Sequence, residues 1–453
     1  MKIQNPYTFE VIDEVAEDNA RTIGDKFIQA KKAQIDWGRT NFAQRHKTIA
    51  KFSDLLQENI EGCALITTKE TGKPLNASRN EIKATNARIQ FFLDRVASKL
   101  ATREVFDDGS TKESLSFDPL GVIANISAWN FPYFVGINVF IPALLTGNAV
   151  LYKPSEFATL TGLKLVDLMK QAGLPAGLFA PIIGQGEQGK QLLDEKVDGV
   201  FFTGSNRTGK SIAQQVAGRM IKSQFELGGK DPLYVCDDFD VQNAAESVLD
   251  GACYNAGQSC CGVERVYVHE KVYNEFLVKL TKLASDVKMG DPMLESTYLG
   301  PMTQPDHLQL LELHVQDAVA KGAKLLVGGA RSKGHAGIFE PTVLTDVTHE
   351  MLVMKDETFG PIMPIMKVSN DEEAIRLMND TEFGLTSSVF TENKERAKKI
   401  LTAMNSGTVY WNCCDRVSPH LPWSGRGQSG EGYTLSELGI EIFLKPKAWQ
   451  LRG

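Results

Sequence analysis

The sequence lacks features that mark several common protein classes. Lys plus Arg number 49 and Asp plus Glu number 56, a net charge of -7, so no basic surplus is present to bind the phosphates of nucleic acid. The longest apolar stretch, residues 133–145, contains Gly136, Asn138 and Pro142 and is shorter than the ~20 residues of a membrane span. We therefore expect neither nucleic acid nor a membrane as a partner.

Cysteine is also scarce, and no export signal is visible. The seven cysteines are an odd number and are thinly spread over 453 residues, unlike the cysteines of a disulfide framework. The first six residues, MKIQNP, contain no apolar core of a secretory signal. We expect free thiols and a cytoplasmic location. The 453 residues, 42% of them hydrophobic, are enough for two or three packed units.

The middle of the chain alternates β-rich runs with helical patterns, which is typical of parallel β-α-β units in an α/β fold. Strands are predicted at residues 121–129, 149–152, 197–203, 233–236, 265–268 and 324–327. Helices are predicted between 160 and 173 and at 208–220, 243–254 and 312–321. Residues 104–118 alternate around Asp108-Gly109, which predicts a hairpin arm with which the tail, 423–453, can pair. Ligands bind at the carboxyl ends of parallel strands. This rule selects Asn130, Lys153, Gly204 and Ser205 as candidate functional residues.

Three local patterns suggest chemistry, although each also has a structural explanation. Cys260 and Cys261 lie in a glycine-bearing loop, where a thiolate can be an accessible nucleophile, but most isolated cysteines are small buried hydrophobes. Glu226 in an apolar, glycine-rich turn is a candidate general base or a solvated turn residue. Gly204-Ser205 before a helix can receive a phosphate, but the full dinucleotide fingerprint is absent.

Six motifs in order resemble one family, the NAD(P)-dependent aldehyde dehydrogenase superfamily, and the resemblance covers nearly the whole chain. They are WNFP (129–132), KPSE (153–156), FTGS (202–205), ELGGK (226–230), GQSC (257–260) and ETFGP (357–361). The resemblance implies two Rossmann-like α/β domains and a small β oligomerisation flap. The cofactor-binding domain would comprise residues 1–100 and 120–229, and the catalytic domain 230–422. The flap would comprise an arm, 101–119, and a tail, 423–453, in a homodimer or homotetramer.

The resemblance also implies the catalytic roles. Cys260 matches the family nucleophile, which forms a thiohemiacetal with the aldehyde and then a thioester. Asn130 and the backbone N–H of Cys260 would form the oxyanion hole. Glu226 matches the base that activates water. In the related CoA-acylating enzymes a thiol replaces water and this glutamate is commonly absent, so Glu226 favours hydrolysis. A non-catalytic binding protein would be expected to have lost these residues.

Further positions match the family's cofactor site. Lys153, Ser155 and Glu156 correspond to the segment at the adenine ribose, and Trp129 belongs to the same site. Gly204 and Ser205 would lie below the pyrophosphate. Glu357 would bind the nicotinamide ribose, with Phe359 packed beside it. A carboxylate at Glu156 hydrogen-bonds a ribose 2′-hydroxyl and repels a 2′-phosphate, so NAD is the preferred cofactor and NADP a possible one.

The substrate is less clearly indicated. Val139 replaces a lysine that many members use in proton relay, and Asn138 and Tyr254 replace the arginines of succinic semialdehyde enzymes. An apolar pocket is therefore predicted, with medium-chain aliphatic or aromatic aldehydes as substrates. Its candidate residues are Tyr133, Phe134, Tyr254, Cys261 and Arg416, with Cys253 nearby. The alternative is succinic semialdehyde bound by a non-standard cation such as Arg416. Cys413, Cys414 and His420 lack zinc-ligand spacing, so no metal is expected.

Overall fold

The computed structural model describes all 453 residues and contains fifteen α-helices. They are α1 (Ala20–Arg39), α2 (Phe42–Glu58), α3 (Ile60–Thr71), α4 (Leu75–Leu100), α5 (Pro132–Leu145), α6 (Thr159–Gln171), α7 (Gly186–Asp194), α8 (Asn206–Val216), α9 (Val241–Cys253), α10 (Glu270–Ser285), α11 (His307–Ala320), α12 (Leu352–Lys355), α13 (Asp371–Met378), α14 (Lys394–Thr402) and α15 (Ser436–Glu441). Two short 3-10 helices cover Ala217–Arg219 and Tyr254–Gly257.

Twenty strands complete the structure. They are β1 (Lys2–Gln4), β2 (Val11–Glu14), β3 (Arg103–Asp107), β4 (Thr111–Pro119), β5 (Val122–Ile126), β6 (Ala149–Lys153), β7 (Phe179–Pro181), β8 (Gly199–Thr203), β9 (Lys222–Glu226), β10 (Asp231–Val235), β11 (Val263–His269), β12 (Lys324–Val327), β13 (Thr342–Thr345), β14 (Ile362–Val368), β15 (Phe383–Gly384), β16 (Thr386–Phe390), β17 (Thr408–Trp411), β18 (Arg426–Gly427), β19 (Gly430–Glu431) and β20 (Leu444–Arg452).

Two large sheets form the centres of the two parts of the molecule. The first has the strand order β19-β9-β8-β5-β6-β7, and the second has the order β12-β13-β14-β11-β10-β16-β17. All neighbours in each sheet are parallel except the pairs β19–β9 and β12–β13. Each sheet has its own hydrophobic core, so the predicted α/β class with two parallel-sheet units is confirmed.

A smaller antiparallel sheet joins the middle of the chain to its end. β4 pairs with β3 as a hairpin and with β20 over nine residue pairs, from Leu444↔Pro119 to Arg452↔Thr111. The hairpin turn agrees with the prediction from Asp108-Gly109, whose aspartate side chain accepts bonds from the backbone N–H groups of Ser110 and Thr111. The tail pairs with the arm through residues 444–452.

Local sequence explains how the site helices begin. Ser205 caps α8, because its side chain accepts a hydrogen bond from the Thr208 N–H. α5 begins with Pro132 at its first position, where a proline needs no hydrogen-bond donor. All but one of the fourteen α5 residues are buried, so the apolar run 133–145 is a core helix. None of the helices combines the length and apolar character needed to cross a membrane.

Candidate active site

Two cavities meet at the same pair of side chains, Cys260 and Glu226. The first cavity, of about 260 Å³, is also lined by Trp129, Gly204, Ser205, Gly228, Glu357 and Phe359. The second cavity, of about 610 Å³, is also lined by Arg88, Phe134, Asn138, Tyr254, Cys261 and Arg416. Because only these two side chains line both cavities, a group in one and a group in the other can meet only there.

The loop that carries Cys260 is held in an unusual backbone conformation. Asn255 and Ala256 have φ of 53° and 57°, in the left-handed region that side chains rarely adopt. The Asn255 amide donates to the carbonyl oxygens of Asn130 (3.1 Å) and Gln258 (3.3 Å) and so stabilises this turn. The Gln258 side chain accepts from the Thr303 N–H at 2.9 Å. The loop therefore presents Cys260 partly exposed at the cavity junction, not as a buried hydrophobe.

Asn130 lies directly against this loop. Its Nδ2 donates to the Gln258 carbonyl oxygen at 3.0 Å, which leaves one of its two N–H groups free. The backbone N–H of Cys260 has no hydrogen-bond partner within the chain. Two donors are thus available beside the thiol, as an oxyanion hole requires.

Glu226 ends β9, is buried and lines both cavities. Thr203 donates to its Oε2 at 3.3 Å, and Thr434 donates to its Oε1. Burial raises the pKa of Glu226 to about 7, although these hydroxyls and the Arg88 charge oppose the increase. A carboxyl group with this pKa can accept a proton near neutral pH. The alternative of a solvated turn residue is wrong.

Glu357 reaches the first cavity from a loop that two buried charges hold in place. The Glu264 carboxylate accepts from the N–H groups of Thr358 and Phe359, and Lys230 pairs with Glu264 at 2.5 Å. Glu357 Oε1 accepts from the Gly229 N–H at 3.1 Å. Burial raises the pKa of Glu357 to about 8. Sequence reasoning missed the role of Glu264, which sits inside a strand and carries no motif signal.

The donors and rings of the first cavity suit a nicotinamide dinucleotide. Gly204 and Ser205 lie at the N-terminus of α8, where backbone N–H groups attract phosphate. Trp129 and Phe359 contact each other edge to face, 5.8 Å between ring centroids. Glu357 offers carboxylate oxygens for ribose hydroxyls. The residues present therefore fit the cofactor that the sequence suggested.

The KPSE segment lies outside the first cavity, where β6 ends. The Lys153 side chain is buried and donates to the Pro154 carbonyl at 3.4 Å, and burial lowers its pKa. Ser155 donates to Glu156 Oε2 at 3.2 Å. The next residue, Phe157, contacts the Trp129 ring at 6.3 Å between centroids. Lys153, Ser155 and Glu156 thus adjoin the first cavity through Trp129 but do not line it.

The second cavity corrects two substrate-pocket predictions. Tyr133 is fully buried in the core of the first sheet, where its hydroxyl donates to the Cys63 carbonyl at 3.1 Å. Successive residues of a helix point about 100° apart, so Phe134 can line the cavity while Tyr133 cannot. Cys253 is likewise buried and does not line the cavity. The other four candidates, Phe134, Tyr254, Cys261 and Arg416, are among the residues that line this cavity.

Cys261 and Arg416 differ sharply in their surroundings. The buried Cys261 thiol donates to Asp415 Oδ1 at 2.8 Å, and its pKa is raised by the Cys260 thiol and by burial. Burial raises the pKa of Asp415 to about 6. The Arg416 side chain is 68% exposed and lies 3.9 Å from Asp250. Arg416 is therefore a residue of the cavity rim, and its charge is screened by water and by Asp250.

Sequence reasoning missed a buried cation in the same cavity. Arg88 on α4 is 5% exposed, and its Nη1 donates to Asn138 Oδ1 at 2.9 Å. The Phe134 ring covers its guanidinium group, 3.9 Å from Cζ to the ring centroid. Burial lowers the pKa of Arg88 to about 10, so it stays charged at neutral pH. The available signal was its helical spacing from the buried Thr85 and Phe92.

Comparisons with known proteins agree on the family. A model of the aldehyde dehydrogenase family matches residues 1–449. Retinaldehyde dehydrogenase 3 of Rattus norvegicus is 33% identical over 456 residues, 98% of this chain and 88% of the relative. An Escherichia coli NADP-dependent enzyme superimposes with a TM-score of 0.97 at 30% identity, covering 100% of this chain and 94% of that one. Betaine aldehyde dehydrogenase of Staphylococcus aureus with NAD+ gives 0.96 at 30% identity, covering 100% and 92%.

Proposed function

Since the chain belongs to the aldehyde dehydrogenase family and is an NAD(P)-dependent oxidoreductase, we propose that Cys260, Glu226 and Asn130 perform the reaction. The product is the carboxylic acid. The single observation that carries the proposal is the junction of the two cavities at Cys260 and Glu226. A nucleophile and a base occupy the one place where an aldehyde and a cofactor from opposite sides can meet.

The reaction begins at Cys260, whose thiol gives up its proton to water as the sulfur attacks the aldehyde carbon and forms a thiohemiacetal. The carbonyl oxygen gains charge in this step, and the free N–H of Asn130 and the backbone N–H of Cys260 stabilise it. When bound, the nicotinamide supplies the hydride acceptor that makes the step an oxidation. A thioester on Cys260 then remains for hydrolysis.

Glu226 completes the cycle by taking a proton from water, which attacks the thioester. The bond between the acyl carbon and the sulfur breaks, the acid is released and Cys260 leaves as the thiolate. The Glu226 pKa of about 7 suits this role, because the carboxyl is ionised in part of the population and basic enough to accept the proton. Val139, buried in α5, provides no lysine to relay that proton. We propose that the proton leaves by water through the second cavity, whose polar wall includes Asn138.

For the cofactor we propose NAD as the preferred form, with NADP accepted less well. The Glu156 carboxylate beside Lys153 supports this preference, since it suits a 2′-hydroxyl better than a 2′-phosphate. Relatives with NAD+ and with NADP are both known, so the family alone does not choose. Gly204, Ser205 and Glu357 are proposed to bind the pyrophosphate and the nicotinamide ribose.

For the substrate we propose an aldehyde with a medium-chain aliphatic or aromatic body. Phe131, Phe134, Tyr254 and Trp423 in the wall of the second cavity support such a body. The name of the rat relative, a retinaldehyde dehydrogenase, is in line with a large apolar aldehyde. Arg88 favours the second candidate, an aldehyde such as succinic semialdehyde that carries a carboxylate.

The two large sheets, each with its own core, support the predicted domain division. We propose residues 1–100 and 120–229 as the cofactor-binding domain and 230–422 as the catalytic domain. The arm, 101–119, and the tail, 423–453, which share the β3–β4–β20 sheet, are proposed as a flap between subunits of a homodimer or homotetramer. Exposed apolar side chains on this flap, Val105, Phe106 and Leu451, support the last point. The seven free cysteines support a reducing, cytoplasmic compartment.

A steady-state aldehyde panel with NAD and NADP, followed by the absorbance of the reduced nicotinamide, tests the proposal. It includes short and medium-chain aliphatic aldehydes, benzaldehyde and succinic semialdehyde. Oxidation must occur, and Cys260→Ala must abolish it while retaining cofactor binding. Turnover by Cys260→Ala would exclude Cys260 as the nucleophile.

A further inference from the structure

Arg88 is a buried charge that lacks a carboxylate partner. No acidic oxygen pairs with it, and its one side-chain hydrogen bond goes to Asn138 Oδ1. A guanidinium group carries five N–H donors in a fixed planar fork. The Phe134 ring covers one face of the group, and the remaining donors are left without protein acceptors at the wall of the second cavity.

The acidic residues around this cavity are already engaged. Glu81 pairs with Lys73 at 2.5 Å and accepts from the N–H groups of Tyr133 and Phe134. Asp415 accepts the Cys261 thiol. The remaining acidic residues of the wall are held in the same way, Glu226 by Thr203 and Thr434 and Asp250 by Tyr298 and Arg416.

Arg88 therefore has no direct ion-pair partner, although the Glu226 and Glu81 charges act on it from a distance, and it lies in the wall of the second cavity. Burying a charge without a partner is costly, and a planar guanidinium matches the two oxygens of a carboxylate. The cost is recovered when an anionic ligand enters. Arg416 cannot serve as well, because it is mostly exposed and lies near Asp250.

We propose that Arg88 binds a carboxylate at the end of the substrate remote from the aldehyde, so that among aldehydes with an aliphatic or aromatic body those that also carry a terminal carboxylate are preferred. This inference rests on the proposed function, which places the aldehyde carbon at Cys260. The amide nitrogen of Asn138, whose oxygen is fixed by Arg88, is a second donor for that carboxylate. The aromatic wall formed by Phe131, Phe134 and Tyr254 contacts the alkyl or aryl spacer between the two ends.

Matched aldehydes test the assignment. Each pair has the same chain length and ends in either a carboxylate or a methyl group; four- and five-carbon pairs serve. In Arg88→Met, kcat/KM for the aldehyde acid falls by on the order of 100-fold, and kcat/KM for the neutral aldehyde falls far less. Arg88→Lys recovers part of the loss. Arg416→Met, the control for a rim charge, changes the ratio within each pair by less than about threefold.

A binding measurement separates substrate recognition from turnover and from misfolding. Iodoacetamide alkylates Cys260, and succinate, the product expected from the four-carbon aldehyde acid, slows this alkylation in the wild-type protein. In Arg88→Met the protection disappears, while stabilisation against thermal unfolding by NAD+ is unchanged. If NAD+ also fails to stabilise Arg88→Met, that variant is misfolded. Arg88→Lys then decides the question, through the protection of Cys260 by succinate and through the ratio of kcat/KM within each pair of aldehydes.

Three outcomes overturn the inference. If kcat/KM in Arg88→Met falls equally for both aldehydes of a pair, Arg88 acts on Glu226 rather than on the substrate. A wild-type preference for the neutral aldehydes, or equal protection by succinate in wild type and Arg88→Met, removes the carboxylate site. By contrast, a wild-type protein that binds succinate through Arg88 but oxidises no aldehyde would refute the proposed function and leave the anion site standing.

Discussion

At the scale of single residues, the site depends on how burial adjusts charged groups. Glu226 and Glu357 both have raised pKa values because they are desolvated near the first cavity, and Arg88 has a lowered one for the same reason. Lys230 and Glu264 instead neutralise each other beneath the Glu357 loop. The ionisable groups around the two cavities thus differ in pKa because each is buried in a different environment.

The pH dependence of thioester hydrolysis follows from Glu226. Its pKa is raised to about 7, and only the ionised form accepts a proton. Hydrolysis should therefore slow as the pH falls below about 7 and level off above it. Single-turnover decay of the acyl-enzyme across pH 5.5–9 measures this, taking the range as roughly one to two units either side of the pKa.

Glu70 provides the control for that profile. Burial raises its pKa to about 7 as well, but it accepts backbone N–H groups at the start of α6 and lines neither cavity. Glu70→Gln should keep the low-pH limb, whereas Glu226→Gln should remove it and slow hydrolysis by roughly 100-fold or more. An unchanged limb in Glu226→Gln would assign the titration to another group.

At the scale of elements, glycines allow the close approach of the two loops at the first cavity. A Cβ on Gly228 would lie 2.2 Å from the Glu357 carboxylate oxygens. Gly228→Ala should displace Glu357 and raise the KM for NAD about tenfold or more, in the range expected when a buried hydrogen-bonded contact is lost. Steady-state kinetics with NAD as the varied substrate measure this.

Gly62 in α3 is the matched control, since an added Cβ there meets nothing within 4 Å. Gly62→Ala should leave the KM for NAD unchanged and stabilise the helix by ~0.5–1 kcal/mol. Equal KM values for the Gly228→Ala variant and the wild type would show that Glu357 does not contact the cofactor.

The sequence predicted the positions of helices and strands better than it predicted which residues line the cavities. Alternation and turn residues located the parallel strands and the hairpin, because periodicity and turn chemistry are local properties. The residues at or just after the ends of β5, β8 and β9 line the first cavity, as the rule for parallel sheets requires. The local sequence does not determine which face of a helix lines a cavity. Whether Tyr133 or Phe134 faces the cavity depends on the elements that pack against α5.

Arg88 is a cavity residue that the sequence did not reveal. Its helix, α4, reads as an ordinary amphipathic helix, and nothing in the sequence shows that its buried face meets both a core and a cavity. The resemblance to the family indicates the positions of Asn138 and Tyr254 as the places where a cation would be expected. The cation in this chain comes from a different helix, so only the three-dimensional arrangement reveals it.

At the scale of the whole molecule, the flap leads to a prediction about assembly. Leu451 is 56% exposed on β20, at the far end of its pairing with β4. If the flap joins subunits, the wild-type mass in solution should be two or four times 49.9 kDa. Leu451→Asp should shift the mass toward that of a single chain, because a charge at an apolar interface is costly. Light scattering coupled to size exclusion measures the mass.

Val278 offers a matched control for this substitution. It is an exposed apolar residue, 72% accessible, on α10 and away from the flap. Val278→Asp should leave the mass unchanged. A monomeric wild type, or dissociation by both substitutions, would contradict the role of the flap.

The central claim, a thioester on Cys260 that Glu226 helps to hydrolyse, is tested most directly by intact-mass analysis of Glu226→Gln. With NAD+ and an aldehyde that the wild type oxidises, the variant should gain the mass of the aldehyde less two hydrogens. Peptide mapping should place the adduct on Cys260, and the double variant with Cys260→Ala should show none. An adduct on another residue, or no adduct in a variant that hydrolyses as fast as wild type, would contradict the account.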